Sequence, residues 1–206
     1  MNKKLNIGVI SCSVMAQLHM KAVIDHPNAE LYMICDINEA LLNETAAKYN
    51  ISRKTTDYRQ MLADPAVDAV IIVTPDQTHR EISVAALEAG KHVLCEKPMA
   101  LTLDDCKAMI NAAAKAKTKM MVGQICRYTP GFVAAKNLIE RGEIGELFFV
   151  ETEYAHDYAH IDVEWRLDPL RHGFLAGLQA IRKKFSPTQI IKCCPTTRQT
   201  TAPSRS

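Results

Sequence analysis

No run of about 18 apolar residues occurs in the chain, so a membrane-spanning helix is not expected. The seven cysteines, at 12, 35, 95, 106, 126, 193 and 194, lack the CxxC or Cys/His spacing that a metal site would need. Most sit inside apolar runs such as LYMICD and KHVLCEK, which points to small buried core residues in a reducing, cytoplasmic compartment. Acidic residues are missing altogether after Asp168, while residues 182 to 206 hold six lysines and arginines. Set against a whole-chain charge of +2, that tail leaves residues 1 to 181 at −4, with no basic footprint for nucleic acid.

What is present is the composition of an ordinary globular protein, 48% hydrophobic and 23% charged over 206 residues. Short apolar runs rich in β-branched residues alternate with helical periodicities. Strands are expected at 5 to 11, 30 to 36, 68 to 74, 91 to 96 and 119 to 124. Helices are expected near 15 to 26, 38 to 49, 57 to 63, 77 to 89, 103 to 116 and 130 to 141. Apolar runs without strict alternation suit strands buried on both faces, so the fold class is α/β, a doubly wound parallel sheet. At 145 to 158 the pattern GELFFVETEYAHDY changes to a longer, partly alternating strand, as at the start of a second, α+β domain. The expected organisation is a nucleotide-binding domain over 1–126, an incomplete second domain over 127–181 and a disordered basic tail over 182–206.

In a doubly wound sheet, ligands bind outside the carboxyl ends of the strands. The first such end is LNIGVISCSVMAQLHM, residues 5 to 20, where Ser11 and Ser13 occupy positions that a dinucleotide turn fills with glycine. A non-glycine residue in left-handed geometry costs roughly 1–2 kcal/mol, although a serine hydroxyl can donate to phosphate. Val14 and Met15 come next, at the start of the helix, whose N-terminus would take the pyrophosphate. A lipoprotein-type signal is the competing reading, but its apolar segment is short and contains Asn6.

Asp36 ends the second strand, 20 residues beyond Ala16. There it can accept bonds from ribose hydroxyls and repel a 2′-phosphate, favouring NAD over NADP, or it can simply cap the next helix. Thr74 and Pro75 end the next strand, in a loop able to line the nicotinamide half of a cofactor. His79 comes shortly after, equally suited to a helix-start hydrogen bond or a ligand contact. In CEKPMALT, Glu96 and Lys97 stand at the end of a buried strand, and Pro98 restrains the peptide.

Taken with GQICRYTP, GEIGELFFVETEY and EWRLDPLRHGFL, these stretches resemble the Gfo/Idh/MocA oxidoreductases, the glucose-fructose oxidoreductase and inositol dehydrogenase group, over roughly residues 4 to 177. The resemblance implies an NAD(P)-binding Rossmann domain followed by a substrate domain, with reversible hydride transfer between a sugar or polyol carbinol and nicotinamide. It implies that Lys97 orients the substrate hydroxyl and steadies developing alkoxide charge. Arg127, Trp165 and Arg166 would then face substrate or nicotinamide.

The family pattern continues after GFL with a proton-accepting histidine and an aspartate three residues later. Those positions hold Gln179 and Arg182 here, and the acid-free tail stands where the rest of the family's second domain would be. His156, His160 and His172 are substitute bases that no spacing places near a substrate. The expectation is therefore a truncated, impaired oxidoreductase, the alternatives being a silent nucleotide-binding module or a non-functional remnant. Self-association through an unpaired strand at 146 to 154 is also expected.

Overall fold

Six parallel strands in the order β3-β2-β1-β4-β5-β6 form the sheet of the computed structural model, which describes residues 4–150. The strands are β1 (Leu5–Ile10), β2 (Ala29–Cys35), β3 (Lys54–Thr55), β4 (Ala69–Ile72), β5 (His92–Cys95) and β6 (Met120–Val122). The helices are α1 (Val14–Asp25), α2 (Glu39–Tyr49), α3 (Tyr58–Ala63), α4 (His79–Glu88), α5 (Leu103–Lys115) and α6 (Pro130–Glu140).

Local chemistry sets the helix starts. Ser13, Asn38, Asp57 and Thr102 each accept a main-chain N–H of the adjoining first turn, satisfying a donor the helix itself leaves open. The chain leaves α2 through Asn50 at φ 54° and α4 through Gly90 at φ 73°, left-handed positions that end a helix without crowding a β-carbon.

Helices pack on both faces of the sheet, although the α1 face stays open over part of β4, β5 and β6. Successive residues of β4 feed opposite cores: Val70 and Ile72 pack with Ile82, Ala86 and Leu87 of α4 and Met109 of α5, whereas Ile71 and Val73 join Ala16, Met20 and Val23 of α1 with Leu42 and Ala46 of α2. Each such side chain contributes about 1.5–3 kcal/mol by burial, enough to make the strand register unambiguous. The chain builds outward from β1 to β2 and β3, then restarts at β4 and builds the other way. Right-handed crossovers consequently put α1 and α2 on one face and α4 and α5 on the other. The order reverses between β1 and β4, and a doubly wound sheet offers its ligand crevice beside the strand tips at such a switch point.

On the α1 face, Ala69, Ile71, Leu94 and Met121 border an open apolar groove of about 410 Å³. With Ile7, His92 and Lys119 also on its wall, it lies toward the opposite edge of the sheet and takes no part in the strand-tip chemistry.

The structure amends the sequence expectations in three places. β3 is unexpected, because two residues carry no periodicity; it forms by pairing Lys54 and Thr55 with Ile34 and Cys35. The helix expected over 77 to 89 begins as a 3₁₀ turn at Asp76–Thr78 and becomes α-helical at His79. The strand expected from 145 is absent over the described residues 145–150, which find no pairing partner there. Its remainder, the tail, His156, His160, Trp165, Arg166, His172, Gln179 and Arg182 lie outside the described residues.

Candidate functional site

Because all six strands are parallel, the residues after their carboxyl ends meet along one edge of the sheet. Main-chain bonds tie those ends together: Val73 N–H to the Ile10 carbonyl (3.0 Å), Glu96 N–H to Ile72 (2.9 Å) and Gly123 N–H to Cys95 (2.7 Å).

After β1 the turn holds Ser11 at φ 107°, a conformation natural to glycine and strained for serine. Ser11 Oγ accepts the Ser13 N–H at 3.1 Å, and Ser13 Oγ accepts the Ala16 N–H at 3.4 Å. Neither hydroxyl reaches the Val14 or Met15 amide, and no described residue takes those two donors. Val14 is 81% exposed, so the start of α1 faces solvent with open N–H groups and the positive end of its dipole. The turn therefore keeps the shape and the donors of a phosphate-binding loop although its glycines are gone.

Asp36, just past β2, reaches back into this turn. Its Oδ2 accepts the Cys12 N–H at 2.7 Å and its Oδ1 the Asn38 N–H at 2.8 Å. Each oxygen retains a second lone pair with which to accept a hydroxyl. The helix cap that sequence offered as an alternative role for Asp36 belongs to Asn38.

Thr74 is half-buried at the β4 tip and Pro75 is exposed beside it. His79 is not available to a cofactor: it is 1% exposed, with Nε2 2.9 Å from the Thr74 carbonyl oxygen and Nδ1 2.8 Å from that of Pro98. The expected ligand contact gives way to the other role, because the ring is buried between two backbone carbonyl oxygens.

Glu96 is likewise directed inward. Its Oε1 lies 2.7 Å from His19 Nε2 on α1, and its Oε2 accepts the Lys97 N–H at 3.1 Å. The hydrogen bond from His19 leads in holding the Glu96 carboxyl below its ordinary value, with the Lys97 amide assisting and partial burial opposing. Gly123 leaves room for this carboxylate: a β-carbon there would stand 3.3 Å from Oε1. The Glu96 side chain thus ties the tip of β5 to α1 and to the Lys97 amide.

Lys97 itself is exposed on the crevice edge, joined to Pro98 by a cis peptide. Arg127 is exposed in a 3₁₀ turn, Ile125–Tyr128, beyond β6. Sequence reasoning missed His19, whose partner lies 77 residues away, and Gly123; no local signal marks either.

The cysteines of this region are not nucleophiles. Burial pushes Cys12 up to about 11 and both Cys35 and Cys95 up to about 12. Among the described residues no group of His, Cys, Asp and Glu could hold a metal ion, and no helix is long and apolar enough to cross a membrane.

Residues 5–124 match the model of an oxidoreductase family with an NAD-binding Rossmann fold. Levoglucosan dehydrogenase of Pseudarthrobacter phenanthrenivorans is 34% identical over 175 residues, which are 81% of this chain and 43% of that protein. Inositol 2-dehydrogenase of Salmonella typhimurium is 34% identical over 149 residues, 71% of this chain and 44% of that one. A solved structure of levoglucosan dehydrogenase with NADH and L-sorbose superposes with a TM-score of 0.76 at 33% identity, covering 82% of this chain and 48% of the other. The chain spans less than half the length of the curated relatives it matches.

Proposed function

From the premise that this chain belongs to the Gfo/Idh/MocA oxidoreductases, whose NAD-binding Rossmann fold spans residues 5–124, we propose that it binds NAD in the crevice between β1 and β4 and serves oxidation of a sugar or polyol hydroxyl. The observation that carries the reading is the convergence of the Ser11–Met15 turn, Asp36, Thr74 and Lys97 on one edge of the sheet. When bound, nicotinamide supplies the acceptor for a hydride from the carbinol carbon.

The chain's own residues divide the remaining work. The Val14 and Met15 amides and the Ser11 and Ser13 hydroxyls hold the pyrophosphate. Asp36 accepts the ribose hydroxyls and disfavours a 2′-phosphate, so NAD is taken in preference to NADP. Thr74 and Pro75 border the nicotinamide half. The Lys97 ammonium donates to the substrate hydroxyl oxygen and steadies the negative charge that builds there as the hydroxyl proton passes to solvent water, before the hydride leaves the carbinol carbon. Arg127, Trp165 and Arg166 contribute to the substrate side. The relatives named for levoglucosan and inositol support a polyhydroxylated substrate.

A second reading, a nucleotide-binding module without turnover, is favoured by Gln179 and Arg182, which stand where the family pattern places the proton acceptor and its aspartate. Glutamine cannot take the hydroxyl proton. Calorimetric titration with NAD and NADH tests the shared premise: saturable binding supports both readings and its absence up to millimolar ligand overturns both. NADH formation over a panel of polyols, abolished in Lys97→Ala, selects the first reading. Binding without any turnover selects the second.

A further inference from the structure

Lys97 is exposed, yet the backbone on either side of it is tied to a different helix. Upstream, Glu96 Oε2 accepts the Lys97 N–H while Oε1 faces His19 Nε2 at 2.7 Å, so the amide of Lys97 is linked to α1. Downstream, the carbonyl oxygen of Pro98 lies 2.8 Å from His79 Nδ1, on the first turn of α4. His79 also spans to the Thr74 carbonyl, thereby setting the distance between the β4 tip and the loop after β5. The His19 side chain is 22% exposed, the Glu96 side chain 12% and His79 as a whole 1%, so water competes poorly for any of these bonds.

We infer that His19 and His79 are positioning residues that together clamp the Lys97 main chain, His19 through Glu96 and His79 through Pro98. They leave the lysine stem mobile and its root fixed. The proposal rests on the reading of Lys97 as a substrate-side residue beside nicotinamide. Two features argue for placement over simple packing. His79 meets two carbonyl oxygens, one on each loop that borders the nicotinamide half, instead of filling an apolar slot. Glu96 is packed closely against Gly123, where a β-carbon would stand 3.3 Å from Oε1, and its other oxygen holds the peptide that carries the lysine.

The test compares dinucleotide with its adenosine half in the full chain. NADH and ADP are titrated calorimetrically into wild type, His19→Gln, His79→Gln and the double variant. ADP occupies the Asp36 side of the crevice and the turn after β1, and lacks the nicotinamide half that Lys97 and Pro98 would border. Each single variant is expected to weaken NADH about tenfold or more while ADP changes less than about twofold. The double variant should lose less than the product of the two single effects, because both bonds hold one segment. His79→Leu, which lacks any donor, should lose more than His79→Gln.

In wild type alone, a ring N–H of His79, followed by NMR, should exchange more slowly with NADH bound than with ADP bound. Parallel losses for NADH and ADP, or NADH affinity unchanged in both single variants, would overturn the clamp. So would equal ring-proton exchange with the two ligands, the outcome that decides the matter if the variants do not fold. Wild type that binds neither ligand would overturn the proposed function, and the clamp with it.

Discussion

The main-chain N–H of Cys12 lies 2.7 Å from Asp36 Oδ2, so the turn after β1 is closed by a carboxylate from the neighbouring strand. This bond spends one lone pair of Asp36 on loop shape and leaves the rest for a ribose. On the proposed reading, its charge disfavours a 2′-phosphate.

Replacing Asp36 by serine removes the charge and keeps an acceptor for the Cys12 amide. Dissociation constants for NAD and NADP, measured side by side, should differ at least about tenfold in wild type and approach equality in Asp36→Ser. Equal affinities in the wild type would remove Asp36 from the selection of cofactor.

Ser11 at φ 107° is the strained element of the turn. Glycine there relieves roughly 1–2 kcal/mol of backbone strain and gives back about 0.5–1 kcal/mol through a freer unfolded chain. Ser11→Gly also loses the exposed bond to the Ser13 amide, so it should raise the urea midpoint by the equivalent of less than about 1 kcal/mol and tighten NAD binding. Ser11→Ala keeps the strain and loses the bond to the Ser13 amide, so it should do neither.

Glu96 supplies the pH dependence. Its carboxyl titrates below the ordinary value of 4.5 in the folded chain, chiefly because His19 binds the ionised form. Its contribution to stability is accordingly complete above about pH 4.5 and is lost as pH falls through the lower folded value. Glu96→Gln should cost about 1–3 kcal/mol at pH 7 and little at pH 3, measured by denaturant unfolding at both. A constant difference across that window would show that His19 does not bind a carboxylate there.

Thiol labelling separates core from surface. At pH 8, iodoacetamide treatment and peptide mass spectrometry should show that, among the five cysteines of the described residues, exposed Cys126 is modified first and half-buried Cys106 next. Cys12, Cys35 and Cys95, buried and pushed up to about 11 or 12, should react only after denaturation. Early modification of Cys12 in the native chain would mean that the turn opens.

The sheet and the strand-tip residues are legible in the sequence because the signals involved are local. A buried parallel strand is a short apolar run, and the residues just after it lie by construction on the ligand edge. Ser11, Ser13, Asp36, Thr74 and Lys97 are located by that rule alone. The interior ties are not legible, because they are made by partners far apart in the chain. His19 looks like any polar residue of α1 until the sheet carries Glu96 to it, and the Pro98 carbonyl meets His79 only through the pairing of β4 with β5. His79, equally suited by sequence to a helix-start bond or a ligand contact, is therefore found between two backbone carbonyls. β3 escapes notice for a related reason: Lys54 and Thr55 become a strand only because β2 offers an unpaired edge.

The groups of the crevice all hang on loops beyond a slab whose two cores are closed by residues such as Val70, Ile71, Met20 and Met109. The strand-tip groups are consequently separate from the packing that holds the sheet together. A variant that has lost cofactor selectivity or turnover can still express well and melt normally, so a well-behaved preparation is no gauge of catalytic competence.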